Sequence, residues 1–151
     1  MADVVSKAVR SRMMSGIKGK DTKPELLVRK GLHKLGFRYR IHGKELPGKP
    51  DIVLHKYNAA IFVNGCFWHM HDCHLFKWPS TRPEFWKEKL ERNVRRDKSN
   101  YEKLRAKGWR VGLIWECSIK GRKKRDISEV IEQCSLWIKG SELEMQLRGY
   151  K

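Results

Sequence analysis

Apolar residues in this chain come in short bursts set in basic sequence, and the spacing inside each burst predicts an element. Thr22-Lys23-Pro24-Glu25 is a capping-box pattern with proline in the first turn, which predicts a helix to about residue 35, ended by Gly36. Residues 37–41 alternate apolar and basic, as an edge strand does. Leu46-Pro47-Gly48-Lys49-Pro50 is a turn, and residues 51–54 read as a strand that opens directly after it. Lys56-Tyr57-Asn58 reverses the chain into residues 59–63, a continuous apolar run expected to be buried on both faces. A long loop follows to Pro83, then a long helix to about residue 107, stopped by Gly108. Residues 109–115 form another buried strand, 120–126 a basic connector, and 127–137 a last helix. The order α-β-β-β-α-β-α implies an α/β fold with a central sheet flanked by helices. No repeat, low-complexity tract or linker divides it. The expected organisation is one domain: a basic arm over 1–20, a body over 21–140 and a tail over 141–151.

Charge sharpens this picture. The 34 Lys and Arg outnumber 17 Asp and Glu, giving a formal net charge of +17 spread along 151 residues. Such a field concentrates phosphates, so a polyanionic partner is expected ahead of a membrane surface. The arm carries Lys7, Arg10, Arg12, Lys18 and Lys20 around Val4, Val5, Met13, Met14 and Ile17, which suits a segment that lies on that partner. No apolar run approaches the ~20 residues of a spanning helix, and the N-terminus has no signal-peptide apolar core. A cytoplasmic location is therefore expected, where thiols serve as metal ligands or core residues more often than as disulfides. Cys134, beside Leu136 and Trp137 in the last helix, reads as a core thiol.

The densest chemistry lies in Gly65-Cys66-Phe67-Trp68-His69-Met70-His71-Asp72-Cys73-His74. Cys66, His71 and Cys73 have the types and proximity of three zinc ligands, and Cys117 could be the fourth. His74 is an alternative to His71 on spacing alone. His69 is then a spare imidazole whose ordinary pKa lies near neutrality, which suits a general base. Six residues separate Cys66 from Cys73, unlike the two-residue spacing of a redox pair. Phe67 and Trp68 sit among these ligands, either as a wedge toward bases or as a cover over the metal site.

Asp51 opens a strand after Pro50, as the first acid of a PD-(D/E)xK nuclease does. The second acid and the lysine of that pattern are missing, since the next strand reads Phe62-Val63-Asn64. A backbone carbonyl is a legitimate ligand for a hard cation, so Val63 could contribute through its main chain. Asn93 and Asp97 lie at i and i+4 on one helix face and could hold metal-bound waters. Alternatively Asp97 pairs with Arg92, Arg96 or Lys98 on a solvated face. Glu25 is accounted for by its capping role.

Together these motifs resemble the very-short-patch repair endonucleases, which nick DNA beside a T:G mismatch. The matching residues are Leu46-Pro47-Gly48-Lys49-Pro50-Asp51, Gly65-Cys66-Phe67-Trp68-His69 with His71 and Cys73, and Thr81-Arg82-Pro83-Glu84-Phe85-Trp86. Asn93, Asp97, Gly108-Trp109-Arg110 and Trp115-Glu116-Cys117 continue the match, which covers roughly residues 1–125. The resemblance implies a restriction-endonuclease-like mixed sheet flanked by helices, with a zinc-stabilised loop. It assigns Asp51 and the Val63 carbonyl to catalytic Mg²⁺ and His69 to the base that activates water. Glu25, Asn93 and Asp97 would support that site. Cys66, His71, Cys73 and Cys117 would bind structural zinc. Phe67, Trp68 and Trp86 would enter the duplex, and the arm, with Met14 and Ile17, would clasp DNA from the opposite groove. The partner would be double-stranded DNA carrying the mismatch, met by a monomer in the bacterial nucleoid, with other mismatch-repair proteins as candidate partners. The chain departs from the family at Asn64, where members can carry a histidine that helps hold the phosphate. Asparagine donates a hydrogen bond but takes no positive charge. The competing expectations are a sequence-reading restriction or nicking enzyme of the same fold, and a zinc-stabilised DNA-binding module without catalysis.

Overall fold

The computed structural model describes residues 21–151; the arm, with Met14 and Ile17, lies outside the described residues. Helix α1 (Lys23–Lys34) begins at Thr22, whose hydroxyl accepts the Glu25 N–H at 3.3 Å. The Glu25 carboxylate reaches back to the N–H of Asp21 at 2.8 Å, so the capping box closes one residue ahead of the cap. The edge strand predicted over 37–41 is reduced to β1 (Arg40–Ile41). Strands β2 (Ile52–Leu54) and β3 (Ala59–Asn64) follow, joined by a 3-10 turn that ends with Asn58 in the left-handed region, φ 50°. Helix α2 (Pro83–Ala106) leads to β4 (Arg110–Trp115), and α3 (Ile127–Lys139) leads to β5 (Glu144–Leu147), a strand that the sequence pattern did not predict.

The sheet runs β1-β2-β3-β4-β5. The first three strands are antiparallel, whereas β3–β4 and β4–β5 are parallel, each closed by a helical crossover. Alternation along the strands separates two cores. Ile52, Leu54, Ile61 and Ile114 pack with Val28 and Leu32 of α1 and with Val130, Cys134 and Trp137 of α3. Ala60, Phe62, Val111, Leu113 and Trp115 pack on the other face with Leu104 of α2 and with Cys66 and Cys117. Gly112 leaves room for Trp137, since a Cβ there would stand 2.9 Å from that ring. Cys134 is fully buried, as expected of a core thiol, and burial pushes it up to about 12. The Arg110 guanidinium donates to the carbonyls of Trp137 and Ile138, orphan acceptors at the end of α3, and to those of Tyr57 and Glu142. Helix α2 buries only Leu90 and Leu104, leaving most of its charged surface in solvent. No helix among the described residues is long and apolar enough to cross a membrane.

Candidate active site and metal centre

The ends of β2 and β3 bring Asp51 against the backbone of Val63, whose N–H donates to Asp51 Oδ2 at 2.7 Å. In an extended strand a residue's N–H and C=O leave on the same side, so the Val63 carbonyl also faces Asp51. Burial pushes Asp51 up to about 7; the negative charge of Glu25 adds to this, while the Val63 N–H and Arg29 oppose it. A partly buried carboxylate that resists ionisation, beside a carbonyl on the same side, offers oxygen donors of the kind that suit a hard divalent cation.

These groups open into a cleft of about 660 Å³, which is also lined by Asn64, Phe67, Trp68, His69, Asp97, Asn100 and Tyr101. Asp97 does not pair with its arginine neighbours on α2. Its Oδ2 instead contacts His69 Nδ1 from the Cys/His loop. A carboxylate on Nδ1 fixes the proton there and leaves Nε2 with the lone pair, the tautomer a base requires.

Asn93 lies on the same face, but its amide is occupied at both ends. Nδ2 donates to the Trp68 carbonyl at 3.2 Å, and Oδ1 accepts from Arg96 at 2.8 Å. It therefore ties the aromatic loop to α2. Glu25 is almost fully buried beneath the cleft, with Oε1 at 3.8 Å from Arg29 and 3.7 Å from His42. Asp21 pairs with both Arg29 and His42, at 3.0 Å and 2.9 Å. The Asp21, Glu25 and His42 donors lie close enough to hold a metal ion, but the Arg29 guanidinium already supplies positive charge there.

Beside the cleft, one donor atom each from Cys66, His71, Cys73 and Cys117 lies within 4.8 Å of the others. His71 Nδ1 is 3.5 Å from both Cys66 Sγ and Cys117 Sγ, and its ring stacks on Trp115 at 3.9 Å. Burial pushes His71 down to about 4 and raises the thiols of Cys66 and Cys117. Neutral imidazole and buried thiols are donor types that structural zinc sites use, where the charge of the ion offsets the cost of burying thiolates. His74 stands outside this set. Its Nε2 is buried without a partner among the described residues, close to Gly121, where a Cβ would approach it to 2.7 Å. The backbone N–H of Gly149 donates to Cys117 Sγ at 3.3 Å, so the C-terminal segment covers the cluster.

The aromatic residues converge from two segments. Phe67 lies 5.1 Å from Trp68 and 5.5 Å from Trp86, and Trp68 lies 5.9 Å from Trp86. Phe76 and Trp78 extend the group, and Arg82 stacks over Phe85 at 4.3 Å. All three predicted wedge residues are only partly buried, and Phe67 and Trp68 line the cleft. Sequence reasoning missed Tyr101, Arg29, His42 and Glu116, whose Oε1 accepts the Cys66 N–H at 3.1 Å. Tyr101 had a readable signal, because it lies one helical turn beyond Asp97.

A mixed sheet with a partly buried acid at a strand start, a histidine held by a carboxylate across the cleft and a Cys/His cluster alongside is consistent with the restriction-endonuclease-like class. The family model described as DNA mismatch endonuclease Vsr matches residues 2–75. The chain is 43% identical over 147 residues to the DNA mismatch endonuclease Vsr of Escherichia coli, covering 97% of this chain and 94% of that protein. It is 42% identical to the type II nicking enzyme V.XorIIP of Xanthomonas oryzae pv. oryzae, over 79% of this chain and 88% of that one. A similar nicking enzyme of Neisseria meningitidis serogroup A, V.NmeAIP, is 44% identical over 81% of this chain and 87% of its own length. The chain belongs to the Vsr family of DNA mismatch endonucleases, hydrolases of the phosphodiester bond.

Proposed function

We propose that the protein nicks one strand of duplex DNA beside a T:G mismatch by Mg²⁺-dependent hydrolysis, as a step of very-short-patch mismatch repair. The observation that carries this reading is the His69–Asp97 pair facing the same cleft as Asp51. Asp51 and the Val63 carbonyl would hold Mg²⁺, which when bound acts as a Lewis acid on phosphate oxygens and the leaving alkoxide. His69 Nε2 takes the proton of the attacking water, and Asp97 stabilises the imidazolium that results. Such base catalysis contributes about 10²–10⁴-fold. Glu25 sets the charge around Asp51 from beneath.

Cys66, His71, Cys73 and Cys117 would hold zinc with no open position, so that ion is structural. Its ligands flank His69 in sequence and fix the loop that carries it. Phe67, Trp68 and Trp86 present ring faces and edges to a base step that mispairing has already weakened, with stacking worth roughly 1–3 kcal/mol per base. Asn93 keeps Trp68 in place through its carbonyl. The arm over 1–20 clasps the duplex, the body over 21–140 cuts it, and the protein works as a monomer on nucleoid DNA in the cytoplasm.

The test is a nicking assay with Mg²⁺ on one duplex carrying either a T:G mismatch or normal pairing, with Asp51→Ala as control. Nicking confined to the mismatch and lost in the variant is expected. Equal cutting of both duplexes would favour a sequence-reading nuclease of the same fold. Binding without cleavage by the unaltered protein would leave only a DNA-binding module.

A further inference from the structure

Asn64 closes β3 on the cleft, and its side chain is engaged in a specific way. Asn64 is 4% exposed, and its Nδ2 donates to the Tyr101 hydroxyl at 3.0 Å. Tyr101 projects from α2 one turn beyond Asp97, and its ring packs edge-on against Phe62 at 5.1 Å. A phenol oxygen that accepts one hydrogen bond keeps its own hydrogen free. Among the described residues nothing accepts that hydrogen, while the residue lines the cleft with Asp51, His69 and Asp97. Burial and the negative charge of Asp97 raise the phenol above its ordinary value, so it remains a donor throughout the neutral range.

We propose that Tyr101 is a further catalytic residue, whose hydroxyl donates to a non-bridging oxygen of the scissile phosphate while Asn64 fixes its direction. The pair is then a neutral donor held in place from behind. The geometry suits this role for three reasons. The β3 end and α2 are both rigid elements, so the hydroxyl is pre-organised. It stands on the helix face that also positions the base through Asp97. Its acceptor lone pair is engaged by Asn64, which turns the hydrogen away from Asn64 and toward the open side.

The inference rests on the mismatch-nicking reading, and its test separates the two. Single-turnover nicking of a T:G duplex is measured for the unaltered protein and Tyr101→Phe, on a normal phosphate and on each phosphorothioate diastereomer at the scissile position. Loss of one donor to a charged oxygen should slow Tyr101→Phe about 10- to 100-fold. Duplex affinity and zinc content should stay unchanged, because the ring and its Phe62 contact are kept, while Tm should fall modestly because the buried Asn64 amide loses its acceptor. In the unaltered protein both diastereomers should be cut slowly, whereas in Tyr101→Phe the penalty should disappear for one of them. A rate within twofold of the unaltered protein, or a slower rate with both sulfur penalties intact, would overturn the role of Tyr101 alone. Failure of the unaltered protein to nick the T:G duplex would overturn the functional reading and this proposal together.

Discussion

Replacing Asp51 by asparagine should stabilise the fold at alkaline pH while abolishing cleavage. Burial holds the carboxyl at about 7 against an ordinary value of 3.8. The folded protein therefore binds this proton more tightly than the unfolded chain does. The resulting contribution to stability is full below pH 3.8 and is lost as pH rises through about 7. At about 1.4 kcal/mol per pH unit, keeping Asp51 ionised costs the metal-free fold roughly 4 kcal/mol at pH 8 and under ~1 kcal/mol at pH 4. Water in the cleft reduces the upper figure, leaving about 2–4 kcal/mol. Asparagine never ionises, yet its carbonyl oxygen can still accept the Val63 N–H. Urea unfolding in buffer without added divalent cation, from about pH 4.5 to 8, should show the two proteins diverging as pH rises and levelling above about 7. Added Mg²⁺ should then stabilise only the unaltered protein. A stability difference that stays constant across the pH range would contradict this, since it would mean that Asp51 titrates alike in the folded and unfolded chains.

Two further substitutions probe the neighbouring metal centre. His71→Ala removes a neutral nitrogen donor stacked on Trp115, and elemental analysis should find the protein without zinc. If the ligand set is worth even ~3 kcal/mol to the fold, Tm falls by about 10 °C for a domain of this size. Retained stoichiometric zinc would exclude His71 as a ligand. Gly149→Ala places a Cβ 2.4 Å from the Cys117 carbonyl oxygen and 2.7 Å from that of Lys123, both main-chain atoms that give way poorly. It should destabilise by about 1–3 kcal/mol and speed zinc loss to a chelator, because displacing the tail also breaks the Gly149 N–H bond to Cys117 Sγ. Unchanged zinc-release kinetics would show that the tail does not guard the site.

Features that depend on near neighbours are legible in the amino-acid sequence. The Thr22 cap, the Gly108 stop, the burial of β3 and the acid after Pro50 follow from local sterics and from hydrophobic period. Strand β5 is not legible in this way. Glu144–Leu147 alternates exposed and half-buried residues on an edge, and it becomes a strand only because β4 offers a parallel partner and Met145 fits beside Gly112. Helix periodicity places Asn93 and Asp97 on one face correctly. It does not show that the Trp68 carbonyl takes the Asn93 amide.

Residue identity and spacing supply the chemical inventory: a basic α/β domain, a strand-borne acid, a spare histidine and a zinc-type donor set. Which of these groups meet is set by packing in three dimensions. His69 finds Asp97 across 28 residues, Asn64 finds Tyr101 across 37, and Cys117 joins His71 across 46. Residue type and local spacing are encoded over a few positions, whereas contacts at such separations arise only when the two faces of the sheet are packed by their helices. The same closure buries Asp51 and raises its pKa, because desolvation is a property of the assembled cleft rather than of any segment.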